Sequence, residues 1–67
     1  MYINIFAEMV RKQLDKEDMA KLMSITPELL ELKLNKKVGM TIKDVFKMQH
    51  IFNEHYCTFE YLLDEVY

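Results

Sequence analysis

What this chain lacks narrows it first. Glycine and proline occur once each (Gly39 and Pro27), too little turn chemistry for a sheet built from several hairpins. Cysteine also occurs once (Cys57), so no internal disulfide framework can form, and a reducing, cytoplasmic setting is expected. No apolar run approaches the ~18 residues that a membrane-spanning helix needs. The opening stretch MYINIFAEMVRK places its charges after its apolar residues, the reverse of a signal peptide. The only serine, Ser24, falls in an expected tight turn. With no glycine-rich phosphate loop and no paired nucleophile and base, enzyme activity is not expected. His50, His55 and Cys57 supply three ligands where a structural zinc site uses four. No metal or other cofactor is expected.

The 67 residues allow one domain, 1–67, with a thin core. At 51% apolar the chain is too hydrophobic for a disordered tail. Nine lysines and arginines against eleven aspartates and glutamates leave a net charge of −2. All nine basic residues lie within 1–53, whereas 54–67 holds Glu54, Glu60, Asp64 and Glu65 and no base. The body is slightly basic, too weakly to mark a polyanion-binding face by charge alone.

Helical periodicity dominates. Tyr2, Ile3, Phe6, Met9 and Val10 recur at three- and four-residue spacing and predict one stripe of an amphipathic helix. Met19, Leu22 and Met23 repeat the pattern, as do Leu30 with Leu34, then Ile42, Val45 and Phe46 with Met48 or Gln49 and Phe52, then Phe59, Leu62, Leu63 and Val66. Four helix starts carry a short oxygen-bearing side chain just before the first turn: Asp15, Thr26, Thr41 and Thr58. Each can accept a bond from a first-turn N–H that has no helical partner. Each is flanked by an apolar pair able to form a staple: Leu14 with Met19, Ile25 with Leu30, Met40 with Val45, and Cys57 with Leu62. Pro27 stands at a first helical position, where its missing N–H is harmless. The expectation is an all-α, compact five-helix bundle with helices at about 3–13, 16–23, 27–36, 42–53 and 59–66. Only Ser24, Ile25 and Thr26 join the second helix to the third, which forces a helix-turn-helix corner. The methionines and most aromatics are expected in the core, where methionine fills irregular gaps.

The stretch Lys16-Glu17-Asp18-Met19-Ala20-Lys21-Leu22-Met23-Ser24-Ile25-Thr26 resembles the helix-turn-helix of lambda-repressor-like (Cro/CI, XRE-type) regulators. Leu30 and Leu34 match the buried positions of that family's recognition helix. Lys33-Leu34-Asn35 is similar to an ending common in its small phage members. Met40-Thr41-Ile42-Lys43-Asp44-Val45 resembles the start of its fourth helix, and Thr58-Phe59-Glu60-Tyr61-Leu62-Leu63 its last. The likeness covers residues 14–64. The family's glycine between helices two and three is Ser24 here, and a left-handed backbone there would cost serine about 1 kcal/mol.

This resemblance implies a small DNA-binding transcriptional regulator of the kind phages and mobile elements carry, its third helix in the major groove of double-stranded DNA. It places Lys16, Lys36 and Lys37 on phosphates and Glu28, Glu31 and Asn35 toward the bases. Lys33, with Lys36 and Lys37, makes the densest basic patch. Two copies would bind one helical turn apart. The apolar last segment, with Tyr61 and Tyr67 as surface anchors, is expected to join them as a homodimer.

The residues also support a second reading. Direct readout uses Arg or Lys on guanine and Asn or Gln on adenine, and the first half of the third helix offers neither. Glu28 and Glu31 repel phosphates. Leu29 and Leu32 lie off the Leu30/Leu34 stripe, and an apolar strip beside acids fits a protein partner. The alternative is therefore a helix-turn-helix-derived protein-interaction module that modulates or inhibits another protein without binding DNA, with Leu29, Leu32, Tyr61 and Tyr67 at its interface.

Overall fold

A computed structural model of the chain describes residues 1–64. They form five helices and no strand: α1 (Ile3–Arg11), α2 (Lys16–Met23), α3 (Pro27–Leu34), α4 (Ile42–Phe52) and α5 (Phe59–Leu62). No helix among them is long and apolar enough to cross a membrane.

The four expected caps are in place. The Asp15 carboxylate accepts from the Asp18 N–H at 2.7 Å, and Asp18 answers with a bond from the Asp15 N–H, closing a capping box on α2. Thr41 and Asp44 close a second box on α4. The Thr26 and Thr58 hydroxyls accept from Leu29 and Tyr61 N–H groups at the starts of α3 and α5.

The helix ends have an uncommon chemistry. Gln13, Ser24 and Lys36 adopt left-handed backbone with φ of 58°, 60° and 63°. At each, two backbone bonds fold back onto the finished helix: Leu14 N–H to the Met9 carbonyl, Ile25 to Ala20 and Lys37 to Leu32, each with a companion from the preceding N–H to the carbonyl three residues back. This is the Schellman ending, whose left-handed residue is usually glycine. Asn53, at φ 53°, ends α4 with a single such bond to Gln49. The one glycine, Gly39, stands at none of these positions and has no positive φ. α1 and α3 therefore stop two residues before the expected 13 and 36.

The core joins Ile5 and Met9 of α1, Met19, Ala20 and Met23 of α2, Leu30 and Leu34 of α3, Val45, Met48 and Phe52 of α4, Cys57, and Leu62 of α5. Four of these twelve are methionines, as expected of a core that fills its gaps with flexible side chains. The aromatics expected with them are mostly outside it: Phe52 alone of the described aromatics is buried, and Phe6, Phe46 and Tyr56 are exposed. The stripe predicted for α1 is corrected. Ile3, Phe6 and Val10 are exposed, and the buried face is Ile5, Glu8 and Met9. Leu22, Ile42 and Phe46 are likewise exposed. Phe46 instead meets Phe59 edge-on, 5.1 Å between ring centres. Val66 and Tyr67 lie outside the described residues.

Candidate nucleic-acid interface

The link between α2 and α3 is built locally. Ser24 turns the chain into the left-handed region, Ile25 tucks half-buried against the core, and Thr26 with Pro27 starts α3. Lys47 of α4 donates to the Met23 carbonyl at 3.1 Å, so a cation from a neighbouring helix closes the end of α2. With Leu30 and Leu34 turned to the core, α3 leaves Glu28, Glu31 and Leu32 exposed, and Leu29 half-buried.

The residues expected on phosphates fall into different settings. Lys16, the first residue of α2, reaches across to α3 and pairs with Glu31 at 2.6 Å, both side chains about half exposed. Lys36 carries its ammonium 5.2 Å from the ring centre of Tyr2, a cation–π distance. Lys37 is exposed beyond the end of α3. Asn35, expected to face bases, is the exposed residue that ends α3.

Lys33 departs from the expected basic patch. It is buried, and its ammonium meets the Asp44 carboxylate at 2.6 Å. It also donates to the Gly39 carbonyl. Burial pushes the Asp44 carboxyl up, but Lys33 and the bonds from Thr41 outweigh it and hold the group below its ordinary range. An ammonium so enclosed cannot reach a phosphate.

Tyr61, expected as a surface anchor, is turned inward. It is half-buried, and its hydroxyl donates to the Glu8 carboxylate at 2.8 Å. Tyr56 donates to the other Glu8 oxygen at 2.9 Å, and Arg11 also pairs with Glu8. Burial pushes the Glu8 carboxyl up. The hydroxyls of Tyr61 and Tyr56, with Arg11, overcome that and leave it lowered. Asn4 adds a bond to the Tyr61 carbonyl at 2.8 Å. Together these polar ties fasten α1 to the start of α5. No sequence pattern marked Glu8, because the two tyrosines that satisfy it lie 48 and 53 residues away. Cys57 is buried, and burial pushes its thiol pKa up.

Shallow clefts border α3, and two of them share Lys16 and Glu31. One, of about 300 Å3, is lined by Lys16, Glu17, Pro27, Glu28 and Glu31. The other, of about 180 Å3, lies among Met1, Phe6, Lys16, Glu31, Leu34 and Asn35. The exposed face of α3 is thus acidic at its start, basic past its end, and bordered by an exposed phenylalanine of α1. Tyr67 lies outside the described residues. No family model, curated protein or solved structure matches the chain.

Proposed function

We propose that this chain is a small DNA-binding transcriptional regulator of the lambda-repressor-like (Cro/CI, XRE-type) kind, of the sort phages and mobile elements carry. It lays α3 in the major groove. The observation that carries this reading is the corner between α2 and α3. A three-residue link with Ser24 left-handed leaves one side of α3 open at Glu28, Glu31 and Leu32, with Asn35 at its end. In this reading Lys16 at one end and Lys36 and Lys37 at the other take phosphates. Asn35 suits adenine, and the two carboxylates suit cytosine N4. Two copies act together, with the C-terminal segment and the exposed Phe46 as the contact between them.

The test is binding to random duplex DNA across a salt series. Binding at 50 mM salt that weakens steeply with added salt supports the reading, with a slope of about −0.9 per phosphate contact. Sedimentation showing a monomer at tens of micromolar removes the paired arrangement.

A second reading rests on the acidic start of α3 and the apolar residues beside it. Phe6 and Leu32 are 44% and 42% exposed, next to Glu28 and Glu31. In that reading the same face binds a protein. Absence of DNA binding at low salt favours it.

A further inference from the structure

We infer that Glu31 governs the affinity of this face for a phosphate backbone by holding Lys16 in an intramolecular ion pair. The inference rests on the DNA-binding reading above and deepens it.

The pair joins the first residue of α2 to the middle of α3, fifteen positions apart, with Nζ and Oε1 at 2.6 Å. It is therefore a consequence of the corner and not of neighbouring turns on one helix. Thr26 and Pro27 begin α3 so that Glu31, one turn in, stands at the start of α2, with Glu17 and Glu28 lining the same cleft. A lysine already neutralised by a carboxylate releases no counterion from DNA when the two surfaces meet, and the carboxylate repels the incoming phosphate. The pair is about half exposed on both sides, so its own contribution to stability is small and a competing anion can reach it. The two roles drawn for these residues also exclude each other. A Glu31 that holds Lys16 is not free to accept from a base, and a Lys16 that holds Glu31 is not free for phosphate. Resting charge recognition then falls to the far end of α3, where Lys37 is exposed.

Glu31→Gln separates these possibilities, measured with Glu28→Gln, Lys16→Gln and the double variant Lys16→Gln/Glu31→Gln. Each is checked for helical circular dichroism and titrated with random duplex DNA between 50 and 300 mM salt. Glu31→Gln is expected to steepen the salt slope by about 0.9 and to tighten binding about tenfold at 50 mM salt, the effect of one added phosphate contact. Lys16→Gln alone leaves the slope where it is, and in the double variant the gain disappears. Glu28→Gln, which removes a charge from the same cleft without freeing a lysine, gives the smaller effect of charge alone. The inference is overturned if Glu31→Gln leaves the slope unchanged, or if its gain persists in the double variant. In either case binding by the unsubstituted chain leaves the DNA reading standing. If no variant binds at 50 mM salt, both fall together.

Discussion

The Lys33 ammonium and the Asp44 carboxylate meet at 2.6 Å with only 9% and 10% of their side chains exposed. Asp44 serves twice, because it also accepts the Thr41 N–H in the capping box that begins α4. One carboxylate therefore fixes the end of α3 against the start of α4 across the segment that contains Gly39. Lys33→Met strands a buried charge and is expected to destabilise the fold by about 3 kcal/mol. Asp44→Asn strands the ammonium and weakens the cap. Urea denaturation of both single variants and the double variant should give a coupling of roughly 1–3 kcal/mol. Strict additivity would show that the two side chains do not interact in solution.

Burial of Lys33 makes a second, independent prediction. Conditions are chosen where both proteins are folded, and the salt dependence of duplex binding is compared. Lys37→Gln is expected to lower the slope by about 0.9, whereas Lys33→Met leaves it unchanged. A fall of equal size with Lys33→Met would mean that this lysine leaves Asp44 for phosphate.

Acid stability follows from Glu8 and Asp44, both lowered in the folded chain. Unfolded glutamate and aspartate titrate near ~4.3 and ~3.9. A carboxylate with a folded-state pKa below that value stabilises fully above it and loses its contribution as pH falls through the folded value. For these two groups, stability is expected to be level from about pH 7 to 5 and to fall below about pH 4. Glu8→Gln should lower stability at pH 7 by roughly 1–3 kcal/mol, since three partners lose a charged acceptor. The same variant should shallow the acid limb. Urea midpoints between pH 2 and 7 check this, and an acid limb unchanged in Glu8→Gln would rule the carboxylate out as a cause.

Helix endings offer a route to a more stable protein. Gln13, Ser24 and Lys36 are left-handed without being glycine. Substituting glycine at each is expected to gain about 1 kcal/mol, or roughly 4–8 °C in Tm for a domain of this size. Asn53→Gly should gain less, because asparagine tolerates that backbone. Gly39→Ala is expected to be neutral or mildly stabilising, since nothing lies within 4 Å of where its Cβ would stand. Thermal melts of the five variants rank these effects. A loss at Ser24 would show that its side chain does more than occupy the turn.

The starts of the helices were legible because capping is local. Asp15, Thr26, Thr41 and Thr58 each need only an N–H a few residues on, and each has it. Their ends were less legible for the reason just given: at Gln13 and Lys36 the chain turns without the residue that usually marks the turn. The face of α1 could not be chosen from spacing, since Ile3–Phe6–Val10 and Tyr2–Ile5–Met9 are both regular stripes. What goes with the second is Glu8, acceptable inside because Tyr56 and Tyr61 arrive from elsewhere to join Arg11 of the same helix. Lys33 was misplaced on the same account. Its partner lies on the next helix, and a lysine beside Lys36 and Lys37 reads as a solvated cluster until that helix is in position. Around the candidate site, the corner and the exposed residues of α3 were foreseen, and the pairing of Lys16 with Glu31 was not.

The eight residues of α3 between Pro27 and Leu34 also set a limit on information. At about 1.5 Å per residue this helix is about 12 Å long, and at ~3.4 Å per base step it lies along no more than about four base pairs. On the proposed reading, a four-letter word recurs by chance about every 250 base pairs, whichever bases its side chains prefer. One copy would thus find a match in nearly every gene, whereas two copies reading eight letters would meet one about every 65,000 base pairs. Addressing a single promoter is then a property of the pair, and the brevity of α3 is what makes the second copy necessary.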